Sequence, residues 1–206
     1  MNKQNLRIGF LASGNGSSAR AIVDAIRRGE ISAEAGLLVS NRKDCVALAW
    51  AREMGLPARC IPTTADPDGA DARLAEAMRA DGVQLIVMSG YLRRLGPHTL
   101  GAYADRILNI HPGPLPAFGG EGMYGRRVHE AVCAAGLAET AMTIHLVDAE
   151  YDHGAVIATR AEPIVPGETA EALEDRIRAL EPAFFTEVIA RVAAGDLNWP
   201  GLKLGG

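Results

Sequence analysis

Leu108-Asn109-Ile110-His111-Pro112 places a carboxamide and an imidazole two residues apart at the end of an apolar run. In an extended chain that spacing puts Asn109 and His111 on one face and Leu108 and Ile110 on the other. Pro112 then stops the ladder, so the polar pair stands at the carboxyl edge of a strand. An amide donor beside an imidazole can hold a developing oxyanion and move a proton. Further along, Asp148, Glu150 and Asp152 alternate before His153-Gly154. The opening resembles a calcium loop, but the sixth position is His153 where glycine is required and the twelfth is Thr159 where glutamate is required. Calcium is therefore rejected, and Asp148 and Glu150 read as solvated turn carboxylates. Asp152, next to Gly154, can approach an imidazole and raise its pKa by charge pairing.

A second chemical feature lies near the start of the chain. Ser13-Gly14-Asn15-Gly16-Ser17-Ser18-Ala19 follows an apolar run and precedes a helical pattern. Small residues there let the backbone turn sharply and aim amide N–H groups, with the positive end of the helix dipole, at an anion such as phosphate. The spacing also fits G-x-G-x-x-A, so a dinucleotide is an alternative. That alternative calls for an acidic residue after the second strand, where the chain has Ser40-Asn41-Arg42-Lys43, a basic run suited only to the extra phosphate of NADP. No G-x-S-x-G elbow supports a serine hydrolase. His129 and Cys133 stand four apart on one helical face without a visible third ligand, and read as packing residues.

The elements that must position these groups alternate along the chain. Apolar runs at Leu6–Ala12, Gly36–Ser40, Ala58–Ile61, Val83–Met88 and Ile107–Ile110 read as strands; Ala19–Arg28, Cys45–Met54 and Ala70–Ala80 read as intervening helices. This βαβ series predicts an open, twisted, mostly parallel sheet with helices on both faces, which binds ligands at its carboxyl edge. Gly113, Pro114, Pro116, Gly119, Gly120 and Gly122 make a long functional loop. Beyond it, Tyr124–Ala135 reads as a helix, Ala141–Val147 and Ala155–Ala161 as strands, and Ala170–Ala194 as a helical pattern that Pro182 should kink or restart.

Composition narrows the function classes. With 206 residues, 48% apolar and 22% charged, the chain suits one globular domain burying on the order of 70% of its unfolded surface. Lys plus Arg number 21 against 25 Asp plus Glu, a net charge of −4, and the pairs Arg93-Arg94 and Arg126-Arg127 are too small to make a nucleic-acid footprint. Cys45, Cys60 and Cys133 form no CxxC spacing, as expected of reduced cytosolic thiols without zinc. The first apolar run stops at Ser13, short of a signal peptide or membrane span. The expected protein is cytoplasmic, with small-molecule partners, no nucleic acid, no membrane and no metal.

SGNGSS after the first strand, NIHP after the fifth and the D-x-G of Asp152-His153-Gly154 together resemble the phosphoribosylglycinamide formyltransferases, from about Leu6 to Val192. The resemblance implies a Rossmann-like formyltransferase fold with an antiparallel extension near the C-terminus. It implies a single domain over 1–206, with a core at about 6–192 and a tail after 195, as a monomer or homodimer. It further implies 10-formyltetrahydrofolate as co-substrate, its formyl carbon attacked by the amine of phosphoribosylglycinamide. Asn109 and a protonated His111 would hold the oxyanion, and Asp152 would keep His111 charged and relay the proton. Carried over position by position, acceptor binding falls to Gly14, Asn15, Gly16, Ser17, Ser18, Gly90, Pro112 and Glu181. Folate binding falls to Met88, Leu92, Arg93, Arg94, Leu95, Ile107, Asn109 and Val147. The chain departs from the family at Ser18, at Gly113-Pro114, at Gly119-Gly120, at Pro182, and in lacking an arginine from Ala65 to Gly69. These departures bear on the acceptor, which in sibling enzymes is a sugar-nucleotide amine or a hydroxylated ornithine; an NADP-binding reductase is the alternative from another reaction class.

Overall fold

Each apolar run becomes a strand, and each amphipathic run the helix that covers it. The computed structural model, which describes residues 5–202, orders them as β1 (Leu6–Leu11), α1 (Ser17–Arg27), β2 (Ala33–Ser40), α2 (Val46–Glu53), β3 (Ala58–Cys60), α3 (Pro67–Ala80), β4 (Leu85–Met88), α4 (Pro97–Ala102), β5 (Ile107–His111), α5 (Arg126–Ala134), β6 (Glu139–Leu146), β7 (Val156–Pro163) and α6 (Ala170–Ala194). The seven strands form one sheet in the order β3-β2-β1-β4-β5-β6-β7. β1 to β5 are parallel, and β6 and β7 return antiparallel beside β5.

Alternation along the central strands feeds two cores. Ile8 and Phe10 of β1 pack with α1, α2, α5 and α6 on one face, while Leu11 packs with α3 and α4 on the other. Because both faces are covered, β1 and β4 are nearly continuous apolar runs. The chain leaves β1 toward β2 and later re-enters at β4 on the other side. The loops after these neighbouring strands therefore diverge and open a crevice at the carboxyl edge. Among the described residues, no helix is long and apolar enough to cross a membrane.

Three features differ from the sequence pattern. α4, absent from the periodicity, begins at Pro97 and is held by the buried Asp71 carboxylate, which accepts from the backbone N–H groups of Gly96, His98 and Thr99. α6 runs unbroken through Pro182 instead of restarting there. Leu173 and Ile177 before the proline and Phe184, Phe185 and Val188 after it all enter one core, so burial along the whole face outweighs one missing backbone hydrogen bond. The tail after 195 folds back: Trp199 Nε1 donates to the Asp105 carbonyl at 2.6 Å, and Leu202 is buried in the first core. Its last residues, 203–206, lie outside the described residues.

The β6–β7 connection is tightly packed at Gly154. A Cβ on Gly154 would stand 1.9 Å from the Leu146 carbonyl oxygen, so only glycine fits. Gly154→Ala is expected to destabilise the protein by about 1–3 kcal/mol. Urea unfolding would show this as a lower midpoint at constant slope, and an unchanged midpoint would mean the turn has slack.

Candidate active site

Three segments deliver the site. β5 ends in Asn109 and His111, and β6 runs antiparallel beside it with His145 opposite Asn109 and Thr143 opposite His111. The connection after β6 brings Asp152 to the same place. Asp152 Oδ2 lies 3.4 Å from His111 Nδ1, and Oδ1 lies 3.4 Å from His145 Nε2. The backbone N–H of Gly120, from the glycine-rich loop, donates to Oδ2 at 3.1 Å. Asp152 itself sits at φ +54, left-handed backbone that asparagine and aspartate tolerate better than most residues.

Partner chemistry fixes the proton positions. His111 Nε2 lies 2.8 Å from the Phe118 carbonyl oxygen, which can only accept, so Nε2 carries the hydrogen and Nδ1 is left to take a proton opposite Asp152. His145 Nδ1 donates to the Leu146 carbonyl at 2.8 Å, and its Nε2 stands 3.2 Å from Asn109 Nδ2 and 3.4 Å from Asp152 Oδ1. The second Nδ2 hydrogen of Asn109 remains for a ligand.

The two imidazoles are almost wholly buried, His111 at 3% and His145 at 2% exposure. Burial pushes His111 below its ordinary value, against the pull of Asp152 and the Phe118 carbonyl and with a further push from His145. Asp152 thus favours the His111 cation while burial opposes it. Removing the ring from water costs more than a carboxylate at 3.4 Å returns. Burial also works against the charge of Asp152, but His145, the His111 ring and the Gly120 amide outweigh it. The carboxyl therefore lies below its ordinary value.

The Ser13–Ala19 segment turns from β1 into the N-terminus of α1. Gly16 adopts φ +64 with its Cα packed so close to Ala47 that a Cβ would stand 2.7 Å from the alanine methyl, so the turn requires glycine. No side chain caps the helix, and its first-turn amides have no intrahelical partner. Ala19 N–H is taken by Ser89 Oγ at 3.1 Å, which leaves those of Ser17 and Ser18 for an anion. Ser13 ties three loops together: Oγ donates to Asn41 Oδ1 at 2.6 Å and accepts from Leu92 N–H at 2.9 Å, and its own N–H donates to the Gly90 carbonyl at 3.0 Å. Asn41, where a dinucleotide fold would carry its acidic residue, thus buttresses this turn. Glu181 is half-buried on α6, which packs against α1; burial pushes its carboxyl up to about 7, with Arg178 pulling it down.

Met88, Arg93, Arg94, Leu95, Asn109 and Val147 line one pocket together with His145 and Asp152, a cavity of about 60 Å³. Arg93, Arg94 and Leu95 also border a neighbouring cavity of about 280 Å³ that reaches Thr63, Asp71 and Tyr91. Two further positions do not line these cavities. Ile107 is fully buried in the second core, and Leu92 is 71% exposed with its backbone N–H spent on Ser13. Gly90 and Pro112 follow β4 and β5 on the same edge. His129 is buried and Cys133 half-buried; among the described residues no group of three or more His, Cys, Asp or Glu could hold a metal.

His145 was not singled out from the sequence. The signal lay in the alternation Thr143-Ile144-His145, whose polar members share a face with Asn109 and His111 once β6 pairs antiparallel with β5. That register is set by tertiary contacts and not by the local pattern.

Residues 6–189 match the formyl transferase family. The chain is 35% identical over 196 residues to the chloroplastic phosphoribosylglycinamide formyltransferase of Arabidopsis thaliana, covering 94% of this chain and 67% of that one. It is 34% identical over 188 residues to the phosphoribosylglycinamide formyltransferase of Bacillus subtilis, covering 90% and 94%. It superposes with TM-score 0.86 and 36% identity on glycinamide ribonucleotide transformylase 1 of Symbiobacterium toebii, covering 96% and 92%. The chain spans 62% of a second chloroplastic relative and under a fifth of the trifunctional relatives it also matches.

The Glu181 carboxyl, raised from 4.5 to about 7, gives a stability prediction with a definite sign. The folded state holds this proton more tightly than the unfolded chain does, so stability falls as pH rises through this window. Relative to wild type, Glu181→Gln is expected to gain about 1–3 kcal/mol between about pH 4 and about pH 8 in urea unfolding. A difference that stays constant across pH would show that the carboxyl titrates normally.

Proposed function

The chain belongs to the formyl transferase family, and on that basis we propose that it is a phosphoribosylglycinamide formyltransferase using 10-formyltetrahydrofolate as donor. The observation that carries the proposal is that Asn109, His145 and Asp152 line one pocket, with His111 3.4 Å behind Asp152, at the sheet edge that also bears the α1 N-terminus. Relatives matching most of the chain carry this name. The apolar wall of Met88, Leu95 and Val147 suits a pterin. The larger cavity past Arg93 suits the donor's aminobenzoylglutamate tail, with a guanidinium at its border for the carboxylates. The acceptor's phosphate would rest on the free amides of Ser17 and Ser18 with the helix dipole behind them. Glu181, on the helix packed against α1, would bind the neighbouring ribose.

The chemistry follows from the proton positions. The acceptor amine attacks the formyl carbon, a C–N bond forms, and the carbonyl pair moves onto oxygen. The unspent Nδ2 hydrogen of Asn109 meets that oxyanion. The adduct nitrogen gives up a proton through water toward Nδ1 of His111, where Asp152 stabilises the imidazolium as it forms. That proton then goes to folate N10, the C–N10 bond breaks with its pair on nitrogen, and the carbonyl is restored. His111 starts neutral, as its burial requires, and becomes charged during turnover. Its Nε2–H reaches the oxyanion only when the Phe118 carbonyl withdraws.

Mixing the protein with 10-formyl-5,8-dideazafolate and phosphoribosylglycinamide should raise absorbance as the deformylated folate appears. His111→Ala and Asp152→Asn are each expected to lower kcat by about 100-fold or more with Tm near wild type. Turnover only with a different amine would move the acceptor to a sibling class; loss of folding in both variants would make the cluster structural.

A further inference from the structure

Two connections face each other across the small pocket. The segment Tyr91–Leu95 follows β4, and the loop from Val147 to Gly154 follows β6 and carries Asp152. Among the described residues no backbone hydrogen bond joins these two segments. The loop's own bonds, Glu150 N–H to Asp148 Oδ1 at 2.8 Å and His153 Nδ1 to Asp148 Oδ2 at 3.0 Å, shape it without attaching it to anything. A single side chain makes the link: Arg94 Nη2 donates to the Ala149 carbonyl, and its guanidinium lies over the Tyr151 ring, 5.5 Å from the centroid.

What that link holds matters for the reaction. Tyr151 directly precedes Asp152, whose left-handed backbone at φ +54 persists only where surrounding contacts impose it. Arg94 and Tyr151 are otherwise exposed, so neither is needed to fill a core. The clasp stands at the rim of the pocket of about 60 Å³, which Arg94, Ala149, Tyr151 and Asp152 all line.

We propose that Arg94 is a positioning residue: through the Ala149 carbonyl and the Tyr151 ring it clasps the β6–β7 loop and holds the Asp152 carboxylate against His111 and His145. The inference rests on the formyl-transfer reading for its kinetic consequence but not for its structural one. The groups facing His111 are Asp152, His145, the Phe118 carbonyl and, at longer range, His129. Of these, Asp152 is the one the clasp controls.

The test compares Arg94→Met, Arg94→Lys, Tyr151→Leu and the double variant Arg94→Met/Tyr151→Leu, all with Tm checked. In the free protein, NMR titration of the His111 ring is expected to fall by about half a pH unit or more in Arg94→Met and in Tyr151→Leu, because Asp152 retreats. Removing a cation alone would raise that value, so the direction isolates the loop. In turnover, kcat should fall about 10-fold in either variant with the acceptor KM unchanged. Lysine, which still reaches both the carbonyl and the ring, should recover most of the loss, and the double variant should be no worse than either single one. Wild-type kcat and His111 titration in both single variants, or losses that simply add, would overturn the clasp. Absence of formyl transfer by the wild type, with the His111 titration still displaced in the variants, would overturn the functional reading and leave the clasp standing.

Discussion

The Asp152 carboxylate, withdrawn from water, is the constraint around which the site is built. An ionised carboxylate in a low-dielectric setting survives only if its oxygens are engaged. Here the partners come from three separate parts of the chain: the His111 ring at the end of β5, the His145 ring near the end of β6 and the Gly120 amide of the glycine-rich loop. Each partner is useful only where it stands, so the strand pairing, the loop path and the left-handed turn at Asp152 are mutually required. The same closeness sets opposing pushes on the His111 ring: burial disfavours its cation and the neighbouring carboxylate favours it.

The sheet turns this local requirement into architecture. The antiparallel return of β6 sets His145 opposite Asn109 and Thr143 opposite His111. The hydroxyl of Thr143 then donates to the Gly113 carbonyl at 2.8 Å and anchors the start of the glycine-rich loop. On the other side of the crevice, Ser13 binds the loops after β2 and β4 to the α1 N-terminal turn. The pocket and the α1 N-terminal turn are therefore fastened to neighbouring strands of one sheet.

Much of this could be read before any coordinates. The parallel series from β1 to β5, the SGNGSS turn and the polar pair before Pro112 follow from period-two and helical patterns and from turn chemistry, all of which act over a few residues. α4 escaped because its stabiliser, Asp71, is remote in sequence. Pro182 misled because a local rule was overridden by burial on both sides of it. Ile107 shares a face of β5 with Asn109 but stands two residues deeper in the sheet, where it is buried in the second core beside Met88 and Val147.

By itself, then, the amino-acid order determined the strand and helix succession, the SGNGSS turn and the identities of the carboxamide, imidazole and carboxylate that meet at the sheet edge. Tertiary structure alone decided that His145 joins them, that Arg94 reaches across to the Asp152 loop, and that burial pushes His111 below its ordinary value. The division has a physical cause: periodicity and turn preference are short-range properties written in neighbouring residues, whereas strand register and the local dielectric depend on how distant segments exclude water from one another.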